Sequence, residues 1–198
     1  MRAAPLALLT LLALLASGAI GCAAGRAPVA VAEEVADALA LNLGGAWWDV
    51  DAGPLALWVQ PRAGHVRAVL AAADAWDGVV RGLRFAPARD SASAAVVVVW
   101  RCTLGGTATR PTAGRTTLRF TRDGRAVDAV VELALRAVPG VPYTPADVRV
   151  FAQHELGHVL GLAHHRAASS VMAPSPAAGV RPSALDRRTL RLLYAMRR

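Results

Sequence analysis

Between positions 154 and 164 the chain reads His154-Glu155-Leu156-Gly157-His158-Val159-Leu160-Gly161-Leu162-Ala163-His164, the spacing H-E-x-x-H-x-x-G-x-x-H. Side chains four apart on a helix share a face, so His154 and His158 present their imidazoles together. Glu155 stands beside that pair but points slightly off it, where a carboxylate can reach a metal-bound water. Gly161 can adopt a backbone conformation closed to other residues, so the helix can end there and the chain can turn back. That turn returns His164 to the same point in space. Three neutral imidazoles with a fourth position open describe a catalytic zinc site, since structural zinc sites are closed by four protein ligands. A bare H-E-x-x-H arises by chance on amphipathic helices, but a glycine and a third histidine at fixed offsets argue against coincidence.

Downstream, Ser169-Ser170-Val171-Met172-Ala173-Pro174 puts a methionine eight residues beyond His164, with a proline following. With this second feature the sequence resembles the metzincin metallopeptidases, whose signature is the long zinc motif plus a methionine-containing turn beneath the metal. Within them it is most similar to the matrixin, or matrix-metalloproteinase-like, branch. The resemblance is sharp over residues 144–176 and holds by pattern over about 53–198. It implies one catalytic Zn²⁺ held by His154, His158 and His164, with Glu155 as general base and Met172 as an apolar floor. It also implies an α+β fold of the zincin kind, an α/β sandwich in which a twisted, mostly parallel sheet packs on two long helices, with a C-terminal helix added. The implied activity is zinc-dependent endopeptidase cleavage, with a peptide or protein as substrate and partner. A non-catalytic envelope lipoprotein using the same fold as a binding module is the alternative, distinguished by loss of Glu155 or a ligand, and none is lost.

The chain also departs from the family. Outside 154–165 the only histidine is His65, so a second, histidine-rich structural zinc site is not expected, and Asp-rich calcium loops are not evident. The tyrosine that some metzincins carry two residues after the turn methionine is replaced by Pro174. His165 adjoins His164, but the family spacing selects His164. Pro174–Val180 is expected to wall a roomy pocket for apolar substrate side chains, and peptide is expected to lie along an edge strand.

The length of 198 residues suits one compact domain plus a targeting segment, and an apolar content of 55% is enough for a core. The net charge of +8 comes with arginine as the sole basic side chain besides histidine. Those arginines are scattered, without the basic run interleaved with aromatics that marks a nucleic-acid surface, so no nucleic-acid partner is expected. A monomer is the expected state. Met1-Arg2, an apolar stretch from Pro5 to Ala16, and small residues to Gly21 describe an export signal over residues 1–21. Ala19-Ile20-Gly21-Cys22 resembles a bacterial lipobox, which would make Cys22 a lipidated first residue in the cell envelope; ordinary cleavage nearby and secretion is the alternative. Any membrane contact would then come through that anchor. Residues 22–52 read as a tether and N-terminal segment, with weak helical periodicity over Glu33–Leu43 and with Trp47 and Trp48 sealing an edge or starting a strand.

From Gly53 the domain pattern becomes firm. Leu55–Val59 predicts a strand, and Val66, Val69, Leu70, Ala73, Trp76 and Val80 predict a helix stopped by Gly82. His65, at its start, is expected on the surface. Ala94–Trp100 predicts a strand covered on both faces, followed by Cys102 as a small buried residue. Thr116–Phe120 and Val127–Leu135 predict a hairpin through Asp123-Gly124. Thr144-Pro145-Ala146-Asp147 and Ser183 with Asp186 predict the starts of the zinc helix and the last helix.

Overall fold

A computed structural model describes residues 46–137 and 140–197. The export signal, Cys22 and the Glu33–Leu43 segment lie outside the described residues. Five strands and three helices follow in the order β1 (Leu55–Val59), α1 (His65–Asp74), β2 (Phe85–Pro87), β3 (Val96–Arg101), β4 (Gly114–Phe120), β5 (Ala126–Ala134), α2 (Pro145–Val159) and α3 (Ala184–Ala195). The sheet order is β2-β1-β3-β5-β4, with every pairing parallel except β4 on β5. This is the expected α+β architecture, with a single antiparallel edge strand. No described helix is long and apolar enough to cross a membrane.

Alternation along the strands decides which face is core. Leu57, Val96, Val98, Val131 and Leu133 are buried and join one cluster with Val69 and Ala73 of α1, Val148 and Leu156 of α2, and Leu190 and Leu193 of α3. The opposite face is only partly covered: Val97 and Val99 are half-buried and Val130 is exposed. The valine run in β3 therefore does not mark a strand covered on both faces. Its outward side chains are screened by neighbouring strands and ion pairs such as Arg101 with Glu132 at 2.5 Å.

Three other expectations are corrected. Helix α1 stops at Asp74, although the apolar spacing continues to Val80. Local turn bonds replace the helix there, with Gly78 N–H donating to Leu83 O at 2.9 Å and Phe85 N–H to Asp77 Oδ1 at 2.9 Å. Trp76, Val79 and Val80 stay buried, so the periodicity reported burial and not helix. Cys102 is exposed, because β3 ends at Arg101 and the chain leaves the sheet at that point. His65 does start α1 but is half-buried, its ring edge-on to Trp100 at 5.4 Å between centroids. Strand β2, three residues long, is too short to leave an alternation signal.

The described chain is already packed into the core ahead of Gly53. Ala46, Trp48 and Val50 are buried, and Trp48 Nε1 donates to Val159 O at 2.8 Å, at the end of α2. Trp47 pairs with Arg125 in an isolated parallel bridge.

Candidate metal centre

Helix α2 begins at a full capping box. Thr144 Oγ1 accepts from Asp147 N–H at 3.2 Å, and Asp147 Oδ2 accepts from Thr144 N–H at 2.9 Å, with Pro145 in the first turn. This start fixes which residues face the core fifteen positions along the helix. At the other end Gly161 adopts φ 97°, and a Cβ there would collide with the carbonyl of Ala46 and meet Leu193 Cδ2 at 3.3 Å. Only glycine satisfies both the left-handed turn and that close approach. The chain then doubles back, with Leu162 N–H donating to Gly157 O at 2.9 Å.

That reversal brings His164 to His154 and His158. The Nε2 atoms stand 3.1 Å apart for His154 and His158, 2.9 Å for His154 and His164, and 3.1 Å for His158 and His164. Among the described residues, these three converge closely enough to hold a metal ion.

The far side of two rings identifies the atoms that meet. His154 Nδ1 lies 2.6 Å from Val171 O, and His158 Nδ1 lies 2.7 Å from Leu162 O. A carbonyl only accepts, so each Nδ1 carries the proton and each Nε2 presents a lone pair. Lone pairs facing at about 3 Å repel unless a cation lies among them. The spacing lets three nitrogens reach one ion at the ~2.0–2.1 Å of a zinc–imidazole bond. Burial pushes all three imidazoles below their ordinary pKa, and His158 to about 4, where the neighbouring His154 adds to the effect. The rings are therefore neutral at pH 7, the form that binds a metal. The donor set fits zinc.

Glu155 is buried, and its carboxylate lies against β4. Thr116 Oγ1 donates to Glu155 Oε2 at 2.7 Å, and the same hydroxyl is 3.1 Å from Glu155 O. Burial raises the Glu155 pKa to about 7, against the opposing pull of the Thr116 hydrogen bond.

Met172 is fully buried beneath α2. A Cβ on Gly157 would collide with its Sδ and meet Trp76 Cζ2 at 3.1 Å, so glycine between Glu155 and His158 is what lets the methionine in. Met172 N–H donates to Ser170 Oγ at 2.8 Å, and His165 N–H donates to Met172 O at 3.2 Å. The side chain of His165 turns away from the three converging rings, its Nε2 meeting Asp186 Oδ1 at 3.1 Å.

Sequence reasoning missed two groups here. Asp186 does more than cap α3: its buried carboxylate also accepts from Ser170 Oγ and from Val171 N–H at 3.2 Å. Burial pushes its pKa up, but hydrogen bonds from His165, Ser170 and Ser183 outweigh this and hold it below the ordinary carboxylate range. The capping signature S-x-x-D was visible, while the reach to the turn was not. Gly114 and Thr116, beside Glu155, carried no signal beyond strand propensity.

The sheet, the two packed helices and the histidine cluster together define a metzincin-type domain. The family model of the matrixins matches residues 59–195, well over half of the chain, and the chain belongs to that family of zinc metallopeptidases. No curated protein matches it.

Proposed function

We propose that this chain is a zinc-dependent endopeptidase, with His154, His158 and His164 as the zinc ligands and Glu155 as the general base. The observation that carries this reading is the meeting of three Nε2 lone pairs at 2.9–3.1 Å, with the buried Glu155 next in sequence to the first of them. When bound, zinc supplies a Lewis acid for the scissile carbonyl and brings an attacking water toward neutral acidity. Glu155 takes the proton from that water at its carboxylate and passes it to the leaving amine. The Nδ1 bonds to Val171 and Leu162 hold two imidazoles in the ligating tautomer.

Strand β4 is the antiparallel edge of the sheet and lies against α2. Among the described residues no strand pairs with its outer side, which suits an extended peptide, and Glu155 packs on a face of the same strand. Pro174–Val180, with small residues at Ser175, Ala177, Ala178 and Gly179, is proposed to wall a roomy pocket for an apolar side chain. Export through residues 1–21, with Cys22 as the anchor in the cell envelope, belongs to the same proposal. The direct test is digestion of casein by the purified protein with and without a chelator. Cleavage that stops on chelation and returns with zinc is expected; inactivity despite bound zinc would contradict the reading.

A further inference from the structure

Gly114 and Thr116 both touch Glu155, as residues two apart on a strand do when they share a face. At Gly114 a Cβ would lie 2.5 Å from Glu155 Cγ and 2.7 Å from Cδ. The backbone there is not in the left-handed region, so what a Cβ would contest is the space held by the Glu155 side chain. At Thr116 the hydroxyl reaches both Oε2 and the backbone oxygen of Glu155. The carboxylate thus sits in a slot on β4, with a missing side chain on one side and a hydrogen-bond donor on the other. On the opposite face of the strand Arg115 and Arg119 turn to Glu132 and Asp128, so neither competes for it.

We propose that Thr116 is a positioning residue for Glu155 and that Gly114 opens the slot, so that the edge strand along which substrate pairs also orients the base. This rests on the reading of Glu155 as general base. A glutamate has three free torsions, and a carboxylate next in sequence to a histidine ligand is itself able to ligate a metal. A donor on β4 holds one oxygen and thereby keeps the group out of the metal's coordination sphere and available for proton transfer. Coupling follows: movement of β4 on pairing with a peptide moves the base with it.

The test compares Thr116→Val, Thr116→Ser and Gly114→Ala with wild type in zinc content, in kcat and KM on a peptide, and in crystal structures. Thr116→Val is expected to keep its zinc and its KM, to lower kcat roughly 10- to 100-fold, and to release the carboxylate from β4. Thr116→Ser, which keeps the hydroxyl, is expected to restore kcat to within a few-fold and to keep the carboxylate in place. Gly114→Ala displaces the carboxylate from the other side and serves should Thr116→Val fail to fold. A Thr116→Val or Gly114→Ala protein with unchanged kcat and the carboxylate still against β4 would overturn the proposal. Glu155→Gln, measured alongside, separates the two ideas. Full turnover in that variant removes the base assignment itself, whereas a dead Glu155→Gln beside an unaffected Thr116→Val removes only the positioning role. The crystallographic comparison reads the slot whatever the rate of cleavage.

Discussion

His154 Nδ1 donates to the carbonyl of Val171 at 2.6 Å, across 17 positions of sequence. Val171 immediately precedes Met172, so the first histidine and the methionine turn form one unit. The bond sets the tautomer and the orientation of the ring through the protein's own backbone. His158 is held in the same way by Leu162 O. Two of the three candidate ligands are therefore ordered by backbone carbonyls, and the ordering entropy is spent in making the fold.

The neutral rings make the metal-free protein acid-sensitive in a defined window. His158 is pushed to about 4 from an ordinary 6.5, and His154 and His164 shift in the same direction. As pH falls from 6.5 toward 4, the unfolded chain takes up imidazole protons that the folded chain refuses, which lowers stability. Glu155, raised to about 7 in the fold, holds a proton the unfolded carboxylate lacks and opposes part of that loss. Thermal unfolding of the metal-free protein should show Tm declining over this range, with a shallower slope in His158→Gln. The same pH slope in wild type and His158→Gln would contradict the argument that burial holds His158 neutral.

The contact of Gly157 with Met172 predicts an overpacking defect. In Gly157→Ala the added methyl would meet Met172 Sδ, and Trp76 Cζ2 at 3.1 Å. Both neighbours are fully buried and have little room to yield. A helix-favouring substitution should therefore destabilise, by about 1–3 kcal/mol, as read by denaturant unfolding. A stability gain would show that the floor beneath α2 is looser than its burial indicates.

Asp186 is expected to matter for the turn as much as for helix α3. Its carboxylate accepts from Ser183 N–H at 2.7 Å, Val171 N–H at 3.2 Å, Ser170 Oγ and His165 Nε2. Asp186→Ala strands several buried donors at once and should cost about 2–4 kcal/mol, since each unpaired donor costs ~1–3 kcal/mol. Because Val171 also holds His154, zinc affinity should weaken in the same variant. Equilibrium unfolding and competition with a chromophoric chelator measure the two effects; unchanged zinc affinity would confine Asp186 to capping.

What the sequence made legible was local. The motif spacing, both capping boxes and the Asp123-Gly124 hairpin depend on residues within a few positions of one another, and all reappear in the fold. What it did not show was set by distant chain. The apolar repeat through Val80 marks residues buried after α1 has ended, with Trp76 also donating to Gln153 O across 77 positions. Cys102 lost its expected burial to the point where β3 leaves the sheet. The slot at Gly114 and Thr116 exists only once β4 is folded against α2, and no periodicity in either segment announces it.

The most direct test of the central claim is zinc content and peptide cleavage measured together on wild type and Glu155→Gln. One zinc per chain is predicted in both, with cleavage lowered roughly 100- to 10,000-fold in the variant. Cleavage undiminished in Glu155→Gln, a wild type that does not retain zinc, or zinc content unchanged in His158→Ala would contradict the account.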